Sequence, residues 1–137
     1  MSARSETYEV LHRMNARGVA VTLDQASELR RAEKTLRRWA EQECGDFNDY
    51  CSWAIERDET TGKPFRCVYP HQGKNRREPI ADREAGALRR VAAICKAVGA
   101  HYFHQGDPRG CALYVSPEPM TDGNYSNGVA ACYCGSA

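Results

Sequence analysis

Apolar residues recur at helical spacing in two long stretches of the chain. Thr22 and Gln25 form a capping box, so a helix should begin there, and the apolar pattern carries it to about Glu43. Over 80–98 the apolar positions again fall three and four residues apart, and Gly99 is a favoured residue just past a helix C-terminus. The pattern therefore predicts one long helix in each half of the chain.

The region between these two helices carries weaker signals. Gly45 should end the first helix, and the acid-rich residues that follow predict a second one over 46–57. The N-terminal part is then helical over about 22–57. Residues 58–79 are rich in glycine, proline and charge and predict a basic loop that holds one short strand at 65–69.

The last third of the chain has the alternation typical of strands. Aromatic and β-branched residues flank the turn Asp107-Pro108-Arg109-Gly110, in which proline pre-sets one backbone angle and glycine closes the turn, so a β-hairpin is predicted. A third strand is predicted near 128–134. We therefore expect an α+β fold in a single domain, 1–137. Two or three helices should pack on a small antiparallel sheet (100–134) that contains the C-terminal hairpin.

Composition agrees with a globular protein but shows uneven charge. Apolar residues make up 42% and charged residues 27% of the chain, which is outside the range of disordered proteins. The net charge is only +1, yet 41–59 holds seven acids against one base, and 63–90 holds eight bases against three acids. The two segments either pair with each other or form separate interfaces.

The cysteine content and the lack of long apolar segments predict a cytoplasmic protein. Seven cysteines cannot all pair internally, and the N-terminus has no apolar leader, so we expect reduced thiols in a cytoplasm. No run approaches the roughly 20 apolar residues of a membrane-spanning helix, and no membrane association is predicted.

Basic residues supply the candidate binding positions. On the first predicted helix they lie opposite the apolar arc, where they could contact the phosphates of a nucleic acid. Arg109, at the tip of the hairpin, could bind a phosphate or carboxylate through two of its N–H groups. His104, with Asp107 in the adjacent turn, is a candidate acid-base or binding pair. The predicted binding residues are Arg30, Arg37, Arg38, Arg76, Arg77, His104, Asp107 and Arg109.

Metal and cofactor signals are weak. The candidate ligands are Cys111, Cys132 and Cys134, but the spacing lacks the two close pairs that structural zinc sites usually show. No nucleotide-loop, hydrolase or metalloprotease motif is present, so no cofactor is predicted and an enzyme is not favoured.

The segment from His101 to Val115, HYFHQGDPRGCALYV, resembles a family of small accessory proteins of tailed phages and prophages. The resemblance extends to Pro119–Tyr125 and Gly128-Val-Ala and covers about the last 40 residues. It implies a place in the cytoplasm of a bacterial host cell. Phage proteins of this size often bind host proteins, and anti-CRISPR and other anti-defence inhibitors are among them.

Three functional hypotheses follow. The first is a non-enzymatic accessory protein that binds a host protein or ribonucleoprotein complex, as an inhibitor of a defence system. The second is a nucleic-acid or nucleotide-phosphate binder that uses Arg30, Arg37, Arg38, Arg76 and Arg109. The third is a small metal-binding protein or enzyme centred on His104, Asp107 and the C-terminal cysteines.

Overall fold

The structure, a computed structural model, describes residues 2–43, 51–70, 73–104, 110–121 and 123–132. Within these ranges the chain forms three α-helices and two antiparallel three-stranded sheets, which confirms the predicted α+β class. The helices are α1 (Ala3–Ala16), α2 (Leu23–Glu43) and α3 (Asp82–Val98). No helix in the described ranges is long and apolar enough to cross a membrane.

The two long helices begin and end as their sequences predict. At the start of α2 the Thr22 backbone N–H donates to Gln25 Oε1 at 2.9 Å, and the Gln25 N–H donates to Thr22 Oγ1 at 3.1 Å. This reciprocal pair satisfies two amides that lack partners within the helix. Gly99 ends α3 in the left-handed region with φ of 71°, which a residue with a side chain rarely adopts.

The sequence prediction missed α1. Ser2 caps this helix by accepting a hydrogen bond from the Ser5 N–H at 3.2 Å, and Thr7, Val10 and Met14 are buried along one side. Their spacing of three and four residues is the ordinary amphipathic signal. The helix could therefore have been found from the sequence.

The first sheet contains β1 (Cys51–Arg57), β2 (Pro64–Pro70) and β3 (Arg76–Pro79) in that order. The predicted helix over 46–57 is therefore wrong for 51–57, and residues 46–50 lie outside the described part. Antiparallel pairing with β2 sets Trp53 opposite Val68 and Ile55 opposite Arg66, so alternate residues turn inward. The strand predicted at 65–69 is confirmed, and β3 was missed inside the predicted loop.

The second sheet contains β4 (His101–His104), β5 (Leu113–Ser116) and β6 (Val129–Ala130). The pairing of β4 with β5 confirms the predicted hairpin, and β6 is a shorter form of the predicted third strand. The turn itself, apart from Gly110, lies outside the described residues. The described residues thus form two small sheets where one was expected.

The core joins all three helices to the second sheet. Its buried members include Val10 of α1, Leu29 of α2, Val91 of α3 and Val115 of β5. A smaller cluster of Leu36, Leu88 and Ala112 packs against Ile55 and thereby reaches the first sheet. Because α2 and α3 contact each other and bury one face each, their opposite faces point away from the core.

Candidate functional site

Two of the predicted binding arginines are held in internal ion pairs. Arg30 Nη1 lies 3.3 Å from Glu6 Oε2 on α1, and its Nε donates to Thr7 Oγ1 at 3.1 Å. Arg37 Nε lies 3.1 Å from the buried Glu33 Oε2. The basic side of α2 is therefore narrower than expected, because Arg30 is paired with α1 and Arg37 is paired with Glu33 within α2 itself.

Other bases of α2 are exposed, as are several bases of α3. Exposed basic side chains on the two adjacent helices form what we call the basic helical surface: Arg31, Lys34, Arg38, Arg89, Arg90 and Lys96. Within 29–38 the single acid, Glu33, is buried, and 85–98 contains no acid. No exposed carboxylate therefore stands between these bases along either stretch.

Two of these arginines converge above Gly86. A Cβ at this glycine would lie 3.5 Å from Arg90 Nη1 and 3.8 Å from Arg89 Nη2, so both guanidinium groups extend over the same patch of helix. Two like charges so placed attract an anion, and a guanidinium fork matches the geometry of a phosphate. Sequence reasoning missed Arg89, Arg90 and Lys96, although the absence of acids over 85–98 was visible.

An open groove adjoins the C-terminal half of α3. Its volume is about 320 Å³, and Lys96, His101, Tyr102 and Met120 are among the residues that line it. His101 and Tyr102 are exposed at the start of β4. An aromatic ring next to a base at the edge of a positive surface offers a stacking position beside a phosphate contact.

The outer face of the first sheet, which we call the open sheet face, consists of Glu56, Phe65, Cys67, Tyr69 and Arg77. The Arg77 guanidinium lies 3.9 Å from the centre of the Phe65 ring, and Tyr69 is 40% exposed. The Cys67 thiol donates to Glu56 Oε2 at 3.4 Å. Aromatic and arginine side chains of this kind are common in the centres of protein interfaces.

Charges around the first sheet nearly cancel. Arg76 Nε lies 2.5 Å from Glu78 Oε1, which neutralises one of the predicted binding arginines. Over the described part of 51–79, five bases and four acids have exposed or half-buried side chains: Arg57, Lys63, Lys74, Arg76 and Arg77 against Glu56, Asp58, Glu59 and Glu78. This region is therefore not a strongly basic surface.

A buried charged cluster lies under the inner face of the first sheet. Arg66 of β2 pairs with Glu84 of α3, and the Arg66 guanidinium lies 4.8 Å from the centre of the Trp53 ring. The Trp53 ring in turn lies 4.3 Å from the His104 ring of the second sheet. The cluster thus connects the first sheet to α3 and to the second sheet.

His104 is held neutral in this cluster. Both of its ring nitrogens are buried and lack hydrogen-bond partners among the described residues. Burial, together with the charge of Arg66, lowers the pKa of His104 to about 3. The sequence prediction made His104 a binding residue, but its nitrogens face the interior. Its suggested partner Asp107 lies outside the described residues, as do the predicted candidates Arg109 and Cys134.

Glu33 of α2 lies at the centre of a second buried group. Its Oε2 accepts a hydrogen bond from the Ala112 N–H at 2.8 Å, and its carboxyl, the Cys111 thiol and the sulfur of Cys132 all lie within 4.8 Å of one another. Burial raises the pKa of Glu33, although Ala112 and Arg37 act in the opposite direction. Burial, with the Glu33 charge, raises the pKa of Cys111 to about 12.

The state of Cys132 differs from the expectation of reduced thiols. Cys132 is disulfide-bonded, whereas Cys67, Cys95 and Cys111 are free. Two of the three predicted metal ligands, Cys111 and Cys132, are nevertheless brought together, and the structure adds Glu33, which no pattern in the sequence indicated.

Comparisons with known proteins found no relative of this chain. No protein-family model matches the chain, and neither a curated protein nor a solved structure is similar to it.

Proposed function

We propose that this chain binds single-stranded nucleic acid through the basic helical surface. The observation that carries the proposal is the run of six exposed bases on two adjacent helices with no exposed acid along 29–38 or 85–98. Nucleic-acid binding depends mainly on such contacts, because each neutralised phosphate releases condensed counterions. The charged side chains stand on helices that are fixed by the core and are therefore positioned in advance.

The pair of guanidinium groups above Gly86 is the proposed centre of this surface. Arg89 and Arg90 repel each other where they converge, and a phosphate between them would relieve that repulsion. Lys34 and Arg38 would contact neighbouring phosphates. The contacts go to the backbone of the nucleic acid, so binding should depend little on base sequence.

The groove beside Lys96 favours a single strand over a duplex. Tyr102 is partly exposed there, and an unpaired base can stack on its ring while the adjoining phosphate meets Lys96. Bases in a duplex are stacked on each other and cannot enter such a groove. Replacing Tyr102 with alanine should weaken binding of a single strand about tenfold or more, and leave duplex binding unchanged.

The direct test is a titration of fluorescently labelled single-stranded oligonucleotides, DNA and RNA, followed by anisotropy. The variant R89E/R90E should bind on the order of 100-fold more weakly, since each charge-assisted contact contributes about 1.5 kcal/mol or more. The matched control K63E/K74E changes the net charge equally at two exposed sites near the first sheet, and its affinity should change less than about twofold. Equal losses in both variants would contradict the proposal.

A protein partner is the second candidate, and the open sheet face favours it. Tyr69, Phe65 and Arg77 form an exposed aromatic and guanidinium patch among charges of both signs. Such a patch suits a protein surface better than a phosphate backbone. The resemblance to phage accessory proteins suggests a host protein of a defence complex, inhibited by occupation of its surface.

The two candidates differ in which variant abolishes activity. If a host defence complex is inhibited through the open sheet face, Y69A should abolish inhibition in a plasmid- or phage-survival assay while R89E/R90E leaves it intact. The opposite pattern would support inhibition through nucleic acid. If the unmodified protein does not change plasmid or phage survival, the inhibitor hypothesis is wrong.

A further inference from the structure

The buried group of Glu33, Cys111 and Cys132 has the donor set of a metal site. Two sulfur atoms and a carboxylate oxygen lie within 4.8 Å of one another. Zinc bonds of roughly 2.3 Å in a tetrahedron place ligand atoms about 3.7 Å apart, so the donors need to close by only about 1 Å. Sulfur combined with a carboxylate suits zinc better than magnesium or calcium, which select oxygen.

Glu33 supplies a second, independent observation. Its side chain is fully buried, and although Oε2 accepts from the Ala112 N–H, Oε1 has no hydrogen-bond partner among the described residues. A buried carboxylate oxygen without a partner loses the solvation it would have in water. A metal ion beside Cys111 would satisfy that oxygen.

Charge balance supports a divalent ion. Two thiolates and one carboxylate carry three negative charges, and zinc with the nearby Arg37 guanidinium carries three positive ones. Arg37 Nε lies 3.1 Å from Glu33 Oε2, close enough to share in this balance. A buried site with a net charge near zero avoids the cost of an uncompensated ion.

We propose that reduction of the Cys132 disulfide converts this group into a zinc site held by Glu33, Cys111 and Cys132. A dithiol reductant delivers two electrons and two protons to the disulfide, is itself oxidised to a disulfide, and leaves Cys132 and its former partner as thiols. Zinc then displaces the thiol protons of Cys111 and Cys132 into solvent. Three protein ligands leave one tetrahedral position for a further donor.

The test uses the full chain in reduced and oxidised forms. After reduction and equilibration with zinc, elemental analysis should find about one zinc per chain, and the oxidised protein should hold less than about a tenth of that. Cobalt(II) in the reduced protein should show the near-ultraviolet charge-transfer absorption of thiolate ligands. C111S removes one of the two thiolate ligands and should lower this absorption by about half or more, and E33Q should weaken cobalt affinity about tenfold or more.

Cys95→Ser is the matched control, because Cys95 is also a buried free thiol but does not belong to the group. It should bind zinc as the unmodified protein does. Equal zinc content in the reduced and oxidised forms, or thiolate-free cobalt spectra, would overturn the proposal. If C111S fails to fold, the presence or absence of thiolate absorption in the cobalt spectrum of the unmodified reduced protein still tests the proposal.

Discussion

The basic helical surface and the region of the first sheet differ in which charge each of them buries. Over 29–38 of α2 the single acid, Glu33, is turned inward, and Arg31, Lys34 and Arg38 stay exposed. On β2 the base, Arg66, is turned inward, where it pairs with Glu84. Burying the acid leaves one surface basic, whereas burying the base leaves the other nearly neutral.

This difference teaches that a charge count along the sequence does not give the charge of a surface. Residues 63–90 hold eight bases against three acids, yet the first sheet that they help to form is close to neutral. The group of exposed bases without an exposed acid among them lies instead on 29–38 of α2 and 85–98 of α3. It depends on which side chains each element turns toward the core, and the following variants test that dependence.

The largest expected effect comes from Glu84→Gln. Arg66 is almost fully buried, and removal of its carboxylate leaves an uncompensated charge in the interior. We expect a loss of about 3–5 kcal/mol in the free energy of unfolding, measured by urea denaturation. Glu118→Gln, at an exposed acid, should change stability by less than about 0.5 kcal/mol. A loss below about 1 kcal/mol in E84Q would contradict the role of this pair.

His104→Phe tests the same cluster through pH. The folded-state pKa of His104, about 3, lies below its ordinary value of 6.5, so between these values the unfolded chain binds a proton that the folded one does not. Stability from this residue is present above 6.5 and is lost as the pH falls. Between neutral pH and about pH 5 the loss should be about 2 kcal/mol.

The phenylalanine variant keeps a ring against Trp53 and removes the titrating group. Subtracting its stability–pH curve from that of the unmodified protein isolates His104, because Glu33, whose raised pKa acts with the opposite sign, is present in both. Identical curves for the two proteins would contradict a neutral, buried His104.

Glu33→Gln in the oxidised protein should cost less than E84Q, about 1 kcal/mol. The amide oxygen of glutamine can still accept the Ala112 N–H, and Arg37, about a quarter exposed, is partly solvated when its carboxylate is removed. The comparison of the two urea midpoints is the measurement. A cost for E33Q equal to that for E84Q would mean that the helix depends on its buried acid as strongly as the sheet depends on its buried base.

The smallest expected effect is a gain from Gly86→Ala. Glycine inside a helix is unfavourable, and the new Cβ would meet only the ends of Arg89 and Arg90 at 3.5–3.8 Å. Stability should rise by about 0.4–1 kcal/mol with oligonucleotide affinity unchanged. Thermal unfolding and anisotropy measure the two quantities, and a loss of stability would show that the guanidinium positions cannot adjust.

Sequence reasoning predicted the elements whose signals are local. The capping box at Thr22, the periodicity of 80–98 and the hairpin alternation each needed only neighbouring residues, and all three are confirmed. The helix prediction was wrong for 51–57 because the conformation of these residues is set by pairing with β2, a contact that no local pattern encodes. The inward direction of Arg66 and Glu33 and the approach of Cys111 to Cys132 depend on the packed fold in the same way.

The dependence of oligonucleotide affinity on salt tests the central proposal most directly. If the six bases of the basic helical surface contact phosphates, the logarithm of the binding constant should fall with the logarithm of salt concentration with a slope of about −4 for a single strand. The slope should shrink by about 1.4 in R89E/R90E and stay unchanged in K63E/K74E. Binding insensitive to salt, or one slope shared by all three proteins, would contradict the proposal.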